Sequence, residues 1–550
     1  MSENLISRYL KRADFDSYED FVENFEVIVP DNFNFAFDVV DYYAEHCPEK
    51  RAMVWCDDRG NEETVNFGEL KARSNKAANA LVAAGIEKGD MVMVILGRRI
   101  EYWYVITGLH KIGAVPIPAT HMLKTADLEY RNNAAGVKMI IALDNDALLD
   151  AVDECEAASP TLEKKMLIRC SRPGWLNLND MMDEASDVFD RPTGDKAVKN
   201  DDPMVVYFTS GTSGMPKMLI HDFVYPLGHI QTAKFWQNAE NDGLHFTVAD
   251  TGWAKAAWGK MYGQWICGSA VMIYDYSDRF DGAKTLEVLA KHKVNTFCAP
   301  ATVYRMMARE DITKYDLSSL HYCVVAGESM QPEVFDKVKN DLGIEIRDAF
   351  GQTETTVSIA HYPWMKVKPG TLGKPSPEYD VDLIDEDGKS VPVGEEGQIV
   401  YRTNKRVPVG MFKGYYRNEE QTKETWRDGI YYTGDIATMD EDGYLTYVGR
   451  ADAIIKTSGY KVGPYEVENA LAGHPAVFES VVTGVPDPIR GKIIKASIVL
   501  KDGFKAGEDL VKEIQDHVKK ITAPYKYPRI IEFVKEIPKT ISGKIKRWKQ

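Results

Sequence analysis

The sequence predicts an α/β protein: a large N-terminal domain of α/β layers with a distorted β-barrel region, followed by a small, mobile α+β domain. Three observations predict it. Helical periodicity alternates with short apolar runs over residues 31–200 and again over 284–350. After about residue 370 the texture changes to short strand-like segments separated by DEDGK and DEDGY turns. Beyond the junction GRADAIIKTSGYK (449–461) a separate helix and strand pattern begins.

Residues 67–84 (FGELKARSNKAANALVAA) carry apolar residues at helical spacing and stop at Gly85. The run 91–96 (MVMVIL) reads as a buried strand, 102–112 as a helix, and 114–117, 139–143 and 165–168 as further buried strands. Strand and helix in alternation imply parallel sheet. The run 204–208 is a strand candidate, as are 296–299, 322–326 and 345–349. Segments 380–384, 397–402, 431–432 and 444–448 read as a mainly antiparallel region closing the large domain. The tail unit then has a helix at 464–471, strands at 480–485 and 495–500, a helix at 508–521 and a strand at 530–534. The expected division is 1–449 and 450–550, and no internal repeat is present.

A chain of 550 residues exceeds one ordinary core. Its formal net charge of -16 opposes nucleic-acid binding, which needs a basic face. The charge is uneven: residues 519–550 hold ten Lys/Arg against Glu532 and Glu536. That basic end is either a solvated surface or a face for a polyphosphate ligand. The seven cysteines are scattered, without ligand spacing, so neither a disulfide framework nor a zinc site is indicated. The N terminus lacks the apolar core of a secretory signal, and no run of about 18 apolar residues occurs. A soluble, reducing, cytoplasmic setting is expected, with no membrane span.

Four motifs carry chemistry. In YFTSGTSGMPK (207–217) a Ser/Thr/Gly run follows a strand, offering N–H groups, hydroxyls and the Lys217 charge to phosphates; the alternative is a surface loop. It is not a Walker loop, because Pro216 precedes the lysine and Met218 follows it. In DAFGQTE (348–354) a carboxylate beside a hydroxyl past a strand end suits magnesium against phosphate oxygens, or else Glu354 is an acid at a helix start. In YYTGD (431–435), with Gly449 and Arg450 following, a turn Asp can accept both hydroxyls of a ribose, or is simply a turn residue. PKTISGKIKR (538–547) puts Lys544 on a Gly-hinged loop able to deliver an ammonium, or is a basic tail.

In this order and spread the motifs resemble the adenylate-forming superfamily over essentially the whole chain, with the closest likeness to medium-chain acyl-coenzyme A synthetases of bacterial or archaeal type. TSGTSGMPK (209–217), ADTGW (249–253), AGES (326–329), FGQTET (350–355), TSGYKVGPYEVENAL (457–471), HPAV (474–477), GVPDPIRG (484–491), TAPYKYPR (522–529) and PKTISGK (538–544) carry it. The resemblance implies ATP, Mg2+ and coenzyme A as cofactors and a small carboxylic acid as substrate. It implies that Thr209, Ser210, Gly211, Thr212, Ser213, Gly214 and Lys217 grip the pyrophosphate part of ATP. Gly327, Glu328, Ser329, Asp348, Ala349 and Phe350 would line the adenine slot, continued by Gly351 and Gln352. Thr353 would touch the α-phosphate, Glu354 would hold the metal, and Asp435 with Arg450 would hold the ribose.

Lys544 would bridge the substrate carboxylate and the α-phosphate, offsetting the repulsion of two anions. The small domain would then turn about Asp452, withdrawing Lys544 and bringing Ser458, Gly459 and Tyr460 to line the thiol tunnel, with Arg490 on the coenzyme A phosphates. Trp253, Lys255, Trp258 and Cys298 would form the acyl pocket, favouring short, branched or medium-chain acids, unless the aromatics only pack the core. Lys461 stands where arginine is common in relatives. The implied reaction is carboxylic acid plus ATP to acyl-AMP and pyrophosphate, then acyl-AMP plus coenzyme A to acyl-coenzyme A and AMP. A monomer or homodimer is expected. The rival readings are an enzyme loading a carrier protein, a luciferase-like oxygenase, and a non-catalytic nucleotide-binding regulator. Pyrophosphate release separates the last of these from the enzymes.

Overall fold

A computed structural model describes residues 5–209, 215–276, 280–327, 330, 332–457, 460–487 and 491–539. Two parallel sheets organise the first 360 residues. The smaller has five strands, in the order Val115–Pro118, Met91–Ile95, Val137–Ala142, Lys164–Leu167 and Leu176–Asn177, all parallel. The larger has nine. Its parallel centre runs Arg347–Gly351, Tyr322–Ala326, Thr296–Ala299, Leu244–Thr247, Ala270–Asp275 and Arg51–Asp57. Antiparallel strands finish both edges.

The centre strands are apolar at nearly every position because helices cover both faces, which leaves no solvated side to enforce alternation. Helix Phe67–Ala83 starts on a capping box: Asn66 Oδ1 accepts the Glu69 N–H at 2.8 Å, and the Asn66 N–H donates to Glu69 Oε2 at 3.0 Å. It lies against helix Glu101–Ile112, where a Cβ on Gly108 would come within 3.1 Å of Ser74 O and 3.0 Å of Ala78 N. That second helix is buried on every side. Its charged residues therefore need partners: Glu101 takes both guanidinium arms of Arg169 at 2.7 and 2.9 Å, and Lys111 donates to Asp41 at 2.7 Å and to Asn75 at 2.5 Å.

From Val381 to Arg450 the chain forms a five-stranded antiparallel sheet around the long strand Ile430–Met439. The ladder slips register between Ile436 and Ala437 and between Gln398 and Val400, bending the sheet. The last unit has its own core of Ile455, Val462, Val467, Leu471, Val482, Ile494, Ile498, Ile514 and Val518. The main core of the large body ends at Leu445, so the chain passes from one core to the other between 445 and 455. Helix Glu508–Ile521 has acids in its first turn and Lys519 and Lys520 in its last, complementing the backbone dipole.

Replacing Lys111 with Met is expected to lower stability by about 3–5 kcal/mol, because it strands the Asp41 carboxylate in the core. A drop in the thermal unfolding midpoint of the purified protein checks this.

Candidate functional site

Strands Tyr322–Ala326 and Arg347–Gly351 end side by side, with Ala326 opposite Ala349. Gly327 follows at φ +91, a left-handed turn that suits glycine. Gly351 admits no side chain: a Cβ there would lie 2.4 Å from Thr356 O and 2.5 Å from Trp258 Cη2. The chain then turns through 352–356 and returns antiparallel as Val357–Ala360. Glu354 therefore sits in a tight turn, not at a helix start.

Asp435 lies in the bulged part of strand Ile430–Met439, opposite Arg450. It is buried, and both of its carboxylate oxygens are engaged: Tyr447 Oη donates to Oδ1 at 2.9 Å, while Gln352 Nε2 (2.5 Å) and Arg450 Nη1 (3.3 Å) donate to Oδ2. Burial pushes its pKa above the ordinary value, opposed chiefly by Arg450. Gln352 is the junction: it also donates to the Thr433 carbonyl at 2.9 Å and accepts from Tyr431 Oη at 2.8 Å. Arg450 donates to the same Thr433 carbonyl and approaches Asp452, with Nε 3.5 Å from Oδ1.

On the other side of the 352–356 turn stands the hairpin Pro203–Thr209 and Lys217–Asp222. Its second strand is stitched to 413–416 by Tyr416 N–H to Met218 O (2.7 Å), Lys413 N–H to Ile220 O (2.8 Å) and Ile220 N–H to Gly414 O (3.2 Å). Tyr130 Oη donates to the Pro216 carbonyl at 2.8 Å. The Lys217 ammonium lies 5.2 Å from the Tyr415 ring centroid, and Tyr415 Oη donates to Glu354 Oε1 at 2.8 Å. His221 Nε2 donates to the Thr353 carbonyl at 2.8 Å, and burial depresses its pKa to about 3, keeping it neutral. Thr209, Lys217, Thr353 and Glu354 thus share one flank of the turn; Gln352, Asp435 and Arg450 share the other.

The Asp348 carboxyl accepts the Ala349 N–H at 2.8 Å, and burial raises its pKa against the pull of Lys255. Lys255 neither points freely to solvent nor stands apart: its ammonium donates to the Ala326 carbonyl at 2.9 Å, at the mouth of the strand pair. Trp258 is buried against Trp236, with centroids 6.3 Å apart and rings at 88°, and abuts Gly351. Cys298 lies in strand Thr296–Ala299, buried, with its thiol pKa raised by burial. Trp253 is partly buried. Phe350 faces Tyr447 at 6.3 Å.

Ser210, Gly211, Thr212, Ser213, Gly214, Glu328, Ser329, Ser458, Gly459, Arg490 and Lys544 lie outside the described residues, as does the Tyr460 side chain. Tyr415, Tyr447 and His221 went unmarked in the sequence reading. No local motif distinguishes them from core aromatics, and only tertiary contact brings them to Glu354, Asp435 and Thr353. Among the described residues no cluster of three or more His, Cys, Asp or Glu can hold a metal. Glu354 has one carboxylate oxygen bonded to Tyr415 and, among the described residues, no hydrogen bond on Oε2. This fits a magnesium ion shared between one carboxylate and substrate phosphates rather than a protein cage.

Residues 40–416 match the AMP-binding enzyme family, and 466–544 match the AMP-binding enzyme C-terminal domain. The chain is 42% identical over 543 residues to mouse (Mus musculus) "Acyl-coenzyme A synthetase ACSM3, mitochondrial", covering 97% of this chain and 92% of that one. It is 41% identical over 532 residues to human (Homo sapiens) "Acyl-coenzyme A synthetase ACSM5, mitochondrial", covering 95% and 90%. Among solved structures, the anthranilate CoA ligase AuaEII in complex with anthranoyl-AMP superposes with a TM-score of 0.85 at 28% identity, over 94% of this chain and 96% of that one. The expected cytoplasmic setting is corrected by these relatives, which are named mitochondrial. Apolar leaders bear on secretion, whereas organelle import reads basic amphipathic segments.

Replacing Gln352 with Leu is expected to cost about 1–3 kcal/mol, since the buried Tyr431 hydroxyl loses its acceptor and the Thr433 carbonyl one donor. Thermal unfolding with and without AMP checks this, and the loss should be larger with AMP present.

Proposed function

We propose, for a chain that belongs to the AMP-binding enzyme family and is an ATP-dependent acyl-coenzyme A synthetase, the following division of labour among its residues. The enzyme converts a carboxylic acid and ATP to acyl-AMP and pyrophosphate, then acyl-AMP and coenzyme A to acyl-coenzyme A and AMP. The observation that carries the assignment is the single turn 352–356. On one flank Glu354 meets Tyr415, over whose ring Lys217 lies, and on the other Gln352 meets Asp435, which pairs with Arg450.

On this reading the ribose hydroxyls donate to Asp435, which Arg450 and Gln352 keep ionised and oriented despite its burial. The adenine lies between Gly327 and the 348–350 strand end, beside the Phe350 ring. The triphosphate runs past Thr353 toward Lys217 and the 209–214 segment. Glu354, held by Tyr415, would carry the magnesium, which when bound supplies positive charge to the phosphate oxygens. The substrate carboxylate attacks the α-phosphorus, the bond to the bridging oxygen breaks, and pyrophosphate leaves with that electron pair. Lys544 offsets the repulsion between the two anions. In the second step the thiol sulfur attacks the acyl carbon, AMP leaves, and Lys544 is no longer needed.

The proposed division is 1–449 and 450–550, with Asp452 as the pivot, supported by the change of core between 445 and 455. Ser458, Gly459, Tyr460 and Arg490 are proposed for the coenzyme A side. Short, branched or medium-chain acids are the proposed substrates, because Trp258, backed by Trp236, fills the space against Gly351. A panel of short, branched, medium-chain and aromatic acids, assayed for pyrophosphate and then for AMP with coenzyme A, tests this. Long-chain acids outrunning the others would overturn it.

Lys544→Ala is expected to abolish acid-dependent pyrophosphate release while sparing the thioester step from preformed acyl-adenylate; equal loss of both contradicts the assignment. Asp435→Asn is expected to raise the KM for ATP by tenfold or more, about 1.4 kcal/mol. Because folding raises the Asp435 pKa, its contribution is fully present below the ordinary carboxylate range and lost as pH rises through the raised value. The Asn variant should accordingly melt no lower than the parent at neutral pH.

A further inference from the structure

Tyr447 touches three parts of the molecule at once. It lies in strand Leu445–Arg450, opposite Ala437, and is only partly buried. Its hydroxyl donates to Asp435 Oδ1 at 2.9 Å. One side of its ring faces Phe350, with centroids 6.3 Å apart and planes at 33°. The ring also meets Tyr465 edge-on, at 5.2 Å and 80°. Tyr465 stands in the first turn of helix Pro464–Ala472, which belongs to the C-terminal core. Around that contact the small domain lies close to the strand: a Cβ on Gly463 would come 2.5 Å from Val448 O.

We propose that Tyr447 is a positioning residue that couples nucleotide binding to the orientation of the C-terminal domain. Its hydroxyl sets the Asp435 carboxylate, and its ring is shared between Phe350 and Tyr465. The proposal rests on the reading of Asp435 and Phe350 as ribose and adenine contacts. A phenol fixed by an edge-on neighbour has fewer orientations than a free one, so Tyr465 in place favours the geometry in which Oη meets Oδ1. When the small domain turns, Tyr465 leaves, and the edge-on contact is lost with it. Two ribose hydroxyls arriving at Asp435 take the acceptor positions that Tyr447, Gln352 and Arg450 leave open, and so meet a carboxylate whose orientation the tyrosine has set. Nucleotide occupancy therefore feeds back on the tyrosine, and through it on the domain contact. By linkage, whatever the domain orientation does to nucleotide affinity, the nucleotide does in equal measure to the orientation.

The other groups around Asp435 do not offer this route. Arg450 reaches Asp452 but no residue of the C-terminal core in the contacts described, and Gln352 is tied to Tyr431 and Thr433, inside the large body. Among the described residues, Tyr447 joins the carboxylate to an aromatic of the small domain. Edge-to-face aromatic pairs and hydrogen bonds to carboxylates are each strong enough to move such an equilibrium severalfold.

The test uses the full-length protein and AMP as the probe, with the dissociation constant read by calorimetry. Tyr447→Phe keeps both ring contacts and deletes the hydroxyl; Tyr465→Ala keeps the hydroxyl and removes the domain contact. We expect Y447F to weaken AMP binding about three- to tenfold and to raise the KM for ATP by the same factor, with the KM for the acid unchanged. We expect Y465A to alter AMP affinity in the parent but not in the Y447F background. It should also change the ratio of pyrophosphate release to thioester formation from preformed acyl-adenylate by at least about threefold. Unchanged AMP affinity in Y447F overturns the proposal, and so do Y447F and Y465A effects that simply multiply in the double variant. Asp435→Ala serves as the control for the underlying reading. If it leaves AMP affinity intact, the ribose assignment itself fails; if it abolishes binding while Y447F does nothing, only the coupling fails. Matching unfolding midpoints for Y447F and the parent exclude a general loss of structure.

Discussion

A carboxylate in a nearly dry place must be surrounded by donors, and that requirement at Asp435 organises much of this molecule. Removing an ionised group from water costs several kcal/mol unless hydrogen bonds replace the lost hydration. The replacements come from three separate stretches of chain: Gln352 from the turn after the parallel sheet, Tyr447 from the neighbouring strand, and Arg450 from the point where the chain leaves the large body. Each donor is itself fixed by another contact, so the antiparallel sheet, the edge of the nine-stranded sheet and the start of the small domain are tied together at one atom pair.

The same economy appears on the phosphate side. Glu354 is positioned by Tyr415, whose ring also lies against Lys217, so anion and cation are set on two sides of one aromatic. The 217–222 strand and the 413–416 segment are stitched together, which joins the hairpin of Pro203–Thr209 and Lys217–Asp222 to the segment carrying Tyr415. A triphosphate needs donors and positive charge spread over several ångströms. Building that spread from two different chain segments, rather than one glycine-rich loop and its helix, separates this site from a Walker-type nucleotide fold. The parallel sheets contribute in the way such sheets generally do, placing ligand-facing residues just beyond the carboxyl ends of strands, here at Ala326–Gly327 and at Phe350–Gly351.

Membership of the AMP-binding enzyme family accounts for the two-core architecture in functional terms. The two half-reactions make opposite demands: the first brings a carboxylate to a phosphate and needs an added cation, whereas the second admits a thiol to the face that the cation occupied. A single rigid site meets one demand at the expense of the other. Two cores are joined by a few residues around 445–455 and touch through Tyr447 and Tyr465 and through Arg309 on the Phe478 ring (4.7 Å); on the proposed reading, that join lets the same body meet both demands in turn.

Much of this was legible in the amino-acid order. Helix 67–83 announced itself through its period and its end at Gly85, and the buried strands around 91–95 and 139–142 through unbroken apolar runs. The change of texture near 370 and the junction near 450 marked the antiparallel sheet and the second core. Strands Leu244–Thr247 and Ala270–Asp275, at the heart of the larger sheet, were not singled out. LHFT is too short to show a period, and AVMIYD follows a stretch with neither helical nor strand rhythm. Motif order determined the family and the reaction, because backbone-shaped loops with Gly, Ser, Thr, Lys and Asp at fixed offsets are local chemistry. Which aromatics serve those loops was decided only by tertiary structure. A tyrosine at 415 or 447 looks like any core tyrosine until folding brings its hydroxyl to a carboxylate 61 or 12 residues away. Local sequence encodes backbone geometry; the partner of a side chain is set by what the fold places opposite it.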